Sequence, residues 1–199
     1  MKTPKINSLK IVMKLSFILI LGISACTQSG TSSKDTTGNS TEAKSAIDKP
    51  SIDIHTAVLS GNLEVVKQHI EAGTDINEKE AMSGSTPLIT AASFDKPEIV
   101  KALIDAKANL SLTNNDGSTA LHSAAFFGRI EIVQMLIDAN ADKTIRNNFG
   151  ATARESVLGD FAQMKPIYEM LNQQLSPLGL ALDMDELEKA RPVVAMMLQ

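Results

Sequence analysis

The sequence predicts an all-α solenoid of stacked helix–turn–helix units, and three observations carry that prediction. Thr86, Thr119 and Thr152 are spaced by 33 residues each time. The words around the first two agree, GSTPLITAA at 84–92 and GSTALHSAA at 117–125. A second phrase follows each at the same distance, Pro97 to Ile104 (PEIVKALI) and Ile130 to Ile137 (IEIVQMLI). A fixed period of this size is the signature of a repeat stack, in which no unit buries its apolar stripe alone.

The first unit is HTAVLSGNLEVVKQHIEAGTDIN at 55–77, which aligns on the third with a shift of 67 residues. One extra residue therefore lies in the NEKEAMSGS loop before the second unit. Gly84 and Asp116-Gly117 supply turns that need positive φ. Thr86 and Thr119 stand at helix starts, where a hydroxyl accepts from an orphan amide, and Pro87 suits the first helical position. The pairs Ala91-Ala92 and Ala124-Ala125 allow neighbouring helices to approach. Second helices carry Ile99, Val100, Leu103, Ile104 and Ile132, Val133, Leu136, Ile137 at helical spacing. They are expected to end at Gly73, Lys107 and Asn140 in a left-handed cap, which costs lysine on the order of 1 kcal/mol. The fourth unit opens at Gly150-Ala151-Thr152 and then departs, with Arg154 where leucine is due and a long LGDFAQMK connection before Pro166. About four units are expected over 50–173, the outer two degenerate.

These phrases resemble the ankyrin repeat, whose pattern runs approximately G-x-T-P-L-H-x-A-A, then E-I/V-V-x-x-L-L, then G-A-D. The resemblance implies a module that binds proteins through its turn tips and the ends of its first helices. Carried over, those positions include Ser83, Ser85, Asp116, Ser118 and Phe149 on the turns, and Leu59, Phe94, Phe126 and Phe127 at helix ends. Phe94 and Phe127 are one period apart, so a side-by-side aromatic row is expected, as in a binding hot spot. Phe126 is open to two readings, contact residue or core filler. The resemblance also places His55 and His122 at the repeat's own histidine position, where the ring hydrogen-bonds the turn.

The N-terminus reads as a targeting segment. Lys2, Lys5, Lys10 and Lys14 precede an apolar run from Leu15 to Ile23, too short to span a bilayer as a helix. Ile23-Ser24-Ala25-Cys26 resembles the bacterial lipobox, which implies cleavage before Cys26 and lipid on its thiol, a membrane anchor made stable by several acyl chains. Cys26 is the one cysteine, so no disulfide forms within the chain. Residues 27–49 are small and polar and read as a tether of about 25 Å average span. An aspartate after the cysteine would resemble an inner-membrane retention signal, and Thr27 stands there instead, so the resemblance implies the outer membrane, facing the periplasm.

Residues 174–199 lie beyond the repeats. Leu178, Leu180 and Leu182 suggest an extended run, and Asp183 with Glu186 a capped helix start interrupted later by Pro192. Two readings stand for this segment, a cap on the open end of the stack or a partner-binding amphipathic helix.

Without residues 1–25 the chain keeps 15 basic and 23 acidic residues, a net charge of −8. That balance argues against nucleic acid as a partner. No G-x-S-x-G, phosphate loop or H-E-x-x-H occurs, and the histidines lack a second ligand at metal spacing. No metal, cofactor or small-molecule substrate is expected, and the expected state is a monomer without enzymatic activity. The expected function is protein binding at a bacterial cell envelope, with an inhibitor or immunity protein as a sub-case. A hydrolase with groove carboxylates and a plain structural spacer are the competing classes.

Overall fold

The computed structural model describes residues 49–199. The targeting segment, Cys26 and almost all of the tether lie outside these described residues. Among them are eight α-helices and no strand: α1 Ile54–Leu59, α2 Leu63–Glu71, α3 Pro87–Ser93, α4 Pro97–Asp105, α5 Ala120–Phe126, α6 Ile130–Asp138, α7 Phe161–Leu175 and α8 Met184–Met197. Short 3-10 turns stand at Glu155–Val157 and Ser176–Leu178.

The helices form two layers, α1, α3 and α5 in one, and α2, α4 and α6 in the other. Ala57, Ala91, Ala92, Ala124 and Ala125 are wholly buried, so the first layer packs more closely than the second. Unequal spacing of the layers bends the stack toward the first helices and makes that side concave. Val66, Val100, Leu103, Val133 and Leu136 fill the space between the layers.

Thr86 and Thr119 cap α3 and α5, their hydroxyls accepting from the amides of Ile89 (3.3 Å) and His122 (3.4 Å), and Pro87 opens α3. Gly73, Lys107 and Asn140 all have positive φ, at 71°, 67° and 62°. Behind them the amides of Thr74, Ala108 and Ala141 reach back to His69, Leu103 and Leu136, each at 2.9 Å, satisfying the last carbonyls of the second helices. A second such series, not expected from the sequence, stands at the ends of the first helices: Gly61, Asp95 and Gly128, at 73°, 55° and 66°.

The fourth unit differs from the expectation. Thr152 still caps, accepting from the Glu155 amide (3.2 Å) while the Glu155 carboxylate takes the Thr152 amide (2.9 Å). Only the 3-10 turn 155–157 forms behind this cap, because Arg154 stands where the repeat needs a buried leucine. The next helix does not start at Pro166. It starts at Phe161, capped by Asp160 (3.0 Å to the Ala162 amide), and passes through Pro166. Helix α8 then packs against α6, as α6 packs against α4, so the C-terminal helix occupies the second-helix place of unit four. Asp183 caps it as expected, with bonds from the amides of Asp185 (2.9 Å) and Glu186 (3.0 Å), and it continues past Pro192. The run before it is not extended at Leu178, which ends a 3-10 turn closed by left-handed Gly179.

Candidate partner-binding surface

The turns are built from one recurring device. Asn114 Oδ1 accepts from the amides of Asp116 (3.0 Å) and Ser118 (2.9 Å). One period on, Asn147 Oδ1 accepts from Phe149 (3.0 Å) and Ala151 (3.1 Å). In the turn before the second unit Glu80 takes that place, its carboxylate accepting from the Met82 amide (2.7 Å) and from the amide and hydroxyl of Ser83. The extra residue lies inside this turn. The Glu80 amide closes on Ser85 O five residues on, whereas Asn114 and Asn147 close on Ser118 and Ala151 four residues on. A longer acidic side chain thus spans the longer turn.

Neighbouring turns are also tied to one another. The Asn115 amide donates to Ser83 O (2.8 Å) and the Asn148 amide to Asp116 O (2.9 Å). Their side-chain amides donate to Met82 O and Asn115 O, both at 2.9 Å. Asn148 lies so close over the previous turn that a Cβ on Gly117 would stand 2.7 Å from its Oδ1 and 2.8 Å from its backbone nitrogen. The result is a rigid row of turn tips along the concave side.

On this row Met82 is 59% exposed, and Ser83 and Asp116 are exposed. Ser118 and Phe149 are half-buried. Ser85 is a correction, being buried, with its hydroxyl accepting from Ser83 (2.7 Å) inside the turn, so it offers nothing to a partner. Leu59, Phe94, Phe126 and Phe127 are half-buried at the first-helix ends. The aromatic row runs along a different line from the one expected. Phe127 meets Phe126 edge-on with centroids 5.1 Å apart, Phe126 meets Tyr168 at 4.7 Å, and Tyr168 stacks on Phe161 at 6.0 Å. Of the two readings left open for Phe126, packing within the chain is the one observed. Tyr168, on α7, is wholly buried and donates its hydroxyl proton to Phe126 O (2.9 Å). Burial pushes that phenol up to about 12, against the pull of the Arg191 guanidinium beside it. Tyr168 was not legible in the sequence, because a single tyrosine outside the period gives no signal of its own.

A second tie also escaped the sequence. Arg129 donates to Asp95 (3.3 Å) one unit back and to Ala181 O (3.1 Å) in the C-terminal segment. The C-terminal segment is therefore fastened to the first-helix end of unit three, and that end to unit two. The unencumbered part of the concave side lies at Met82, Ser83, Asp116, Phe94 and Leu59.

The histidines divide. His122 shares a 2.9 Å bond with the Thr119 hydroxyl, and its other nitrogen meets Ala151 O (3.1 Å) on the next turn. Burial holds its pKa below the ordinary histidine value, against the backbone oxygens of Ala151 and Ile145. His55 corrects the expectation, since both its nitrogens are buried with no partner. The position matching Thr119 is Ile52, so the hydroxyl is missing and α1 starts one residue late, capped by Asp53. His69 takes over the task, bonding Thr74 (3.0 Å) and Ile52 O (2.7 Å).

Four carboxylates are held below their ordinary values. Hydrogen bonds from Thr56, Thr144 and Thr152 hold Asp53, Asp142 and Glu155 low. At Glu80 burial works upward, but the bonds from Ser83, Met82 and Ser85 outweigh it. A general acid would need the opposite shift. Among the described residues no three His, Cys, Asp or Glu side chains stand in metal-binding proximity, and no helix is long and apolar enough to cross a membrane.

Comparison with known proteins bears on this geometry. Residues 54–147 match the family model for ankyrin repeats, in three copies. These residues are ankyrin repeats. The matched span covers the three complete helix pairs and stops before the altered fourth unit. The chain is also similar to human Protein phosphatase 1 regulatory subunit 27, 45% identical over 63 residues, which is 32% of this chain and 40% of that protein. The mouse protein of the same name is 44% identical over 63 residues, with the same shares. The chain thus matches well under half the length of either relative. Ankyrin repeats imply protein–protein interaction, and the relatives are named as regulatory subunits rather than enzymes.

Proposed function

We propose that this chain is a non-catalytic protein-binding module, held at a bacterial cell-envelope membrane by lipid on Cys26. One observation supports the binding face above all. Successive turns are bonded to one another at 2.8 and 2.9 Å, so Met82, Ser83 and Asp116 form a preorganised row. Rigid presentation lowers the ordering cost of association, and half-exposed aromatic and thioether groups supply contact area. The lipobox-like Ile23-Ser24-Ala25-Cys26 and the polar residues behind it support the anchor, with the outer membrane facing the periplasm as the site. The naming of the relatives as regulatory subunits supports an enzyme as the partner, which keeps the inhibitor or immunity sub-case.

Affinity capture from envelope membranes tests the reading. Phe94→Ala/Asp116→Lys, with an unchanged circular dichroism spectrum, is expected to weaken partner retention at least tenfold. Full retention by the folded double variant would remove this face from consideration. Cys26→Ser is expected to lose metabolically incorporated palmitate and to move to the soluble fraction.

A further inference from the structure

Arg154 stands where the repeat pattern calls for a buried leucine, and the binding face does not use it. It lines a groove of about 480 Å³ between the 3-10 turn 155–157 and α8. Arg191 lines the same groove and is only 2% exposed. Its guanidinium donates to the Tyr168 hydroxyl (2.6 Å) and to Gly159 O (2.9 Å). It also lies over the rings of Tyr168 (5.7 Å) and Phe161 (5.9 Å). Arg154 gives its Nε–H to Ala195 O (3.1 Å). All these partners are neutral. Among the described residues the side-chain ion pairs are Lys101–Asp105, Arg129–Asp95 and Arg146–Glu155, so neither groove arginine is in one. Even Glu155, next in sequence to Arg154, is turned to Arg146 at 2.6 Å.

A guanidinium removed from water is costly unless an anion compensates it. Arg191 is such a group, and with the half-exposed Arg154 on the same groove it makes a place for an anion, since the planar fork matches a carboxylate with two parallel bonds. The lining carries two arginines against one acidic side chain, Glu188. Gln199 also lines the groove, and its main-chain oxygen accepts from Lys143 (3.3 Å). Val157, Leu158, Pro192 and Met196 complete an otherwise apolar wall, and Leu158 and Met196 are more than half exposed.

We propose that this groove binds a carboxylate carried on an apolar body. Such a group is the free C-terminus of a peptide ending in an apolar residue, or an aliphatic carboxylic acid. Arg154 and Arg191 take the carboxylate, and the Val157–Met196 wall takes the apolar part.

Calorimetric titration of the full chain separates the sources and tests the site. The probes are octanoate, octanol, acetate, and one peptide ending in leucine as its free acid and as its amide. Octanoate, or the free-acid peptide, or both, are expected to bind at least tenfold tighter than the corresponding alcohol or amide and than acetate. Arg154→Gln, at a half-exposed position, is expected to lose at least tenfold, and Arg154→Lys less. Glu188→Gln is expected to tighten binding. Equal binding of acid and neutral analogue, equal binding of acetate and octanoate, or wild-type affinity in folded Arg154→Gln would overturn the proposal. The groove and the turn-tip face share no residue, so a failed capture experiment at Phe94 leaves this test intact.

Discussion

Single residues carry the clearest consequences of the period. At position 107 the backbone needs φ of 67°, a conformation open to glycine and strained for lysine. Lys107→Gly is expected to stabilise the domain by about 1 kcal/mol, read as a higher midpoint in urea. The same change at Asp95, with φ of 55°, is expected to give no net gain, because Asp95 also pairs with the mostly buried Arg129 guanidinium. The two positions differ in legibility for the same reason. Lys107 falls on a series that starts with Gly73, whereas Asp95 needs the first-helix ends to be aligned as well. His122 makes a pH prediction. Burial lowers its folded-state pKa, so below the ordinary histidine value the unfolded chain binds a proton that the folded chain refuses. Stability is therefore expected to fall as pH drops from 7.5 to 5.5. His122→Asn should lessen the slope of urea midpoint against pH, and an unchanged slope would assign the effect elsewhere.

At the scale of elements, the three complete helix pairs were legible because each repeats the same caps and the same apolar spacing. The last two helices were less so, for identifiable reasons. Pro166 looks like a helix start by analogy with Pro97, yet Asp160 offers the better cap and α7 begins at Phe161. The docking of α7 depends on Tyr168, whose hydroxyl joins Phe126 O and the Arg191 guanidinium. No periodic pattern announces a bond of that kind across 42 residues of chain. It also shows why the sequence left Phe126 open to two readings, since the partner that makes it a seat for α7 lies outside the period. Tyr168→Phe removes the hydroxyl from both partners and leaves a buried Arg191 donor unmade, at a cost of roughly 1–3 kcal/mol. Alkaline conditions supply an independent check. With a folded-state value near 12 against the ordinary 10, the tyrosine ionises first in the unfolded chain. Stability should decline as pH rises from 9 to 11, and Tyr168→Phe should abolish that part of the decline.

For the whole molecule, the decisive question is what closes the C-terminal end of the stack. A solenoid sums the interactions of neighbours, so an end left open weakens the unit beside it most. Here α8 takes the place of a missing second helix and buries Leu187, Ala190, Val194 and Ala195, with Leu198 just beyond its end. The fit is close enough that a Cβ on Gly128 would stand 2.8 Å from Leu187 and 3.1 Å from Ala190. Leu187, Val194 and Leu198 together account for on the order of 5 kcal/mol of burial, comparable with the net stability of an ordinary domain. Ending the chain after Leu175 is therefore expected to lower the urea midpoint strongly and to unfold unit three before unit one. Hydrogen exchange should show this as lost protection in α5 and α6 while α1 and α2 keep more of theirs. A partner-binding helix that merely rests on the stack predicts the reverse. In that case the truncated chain would keep its midpoint and its exchange pattern and lose only its partner.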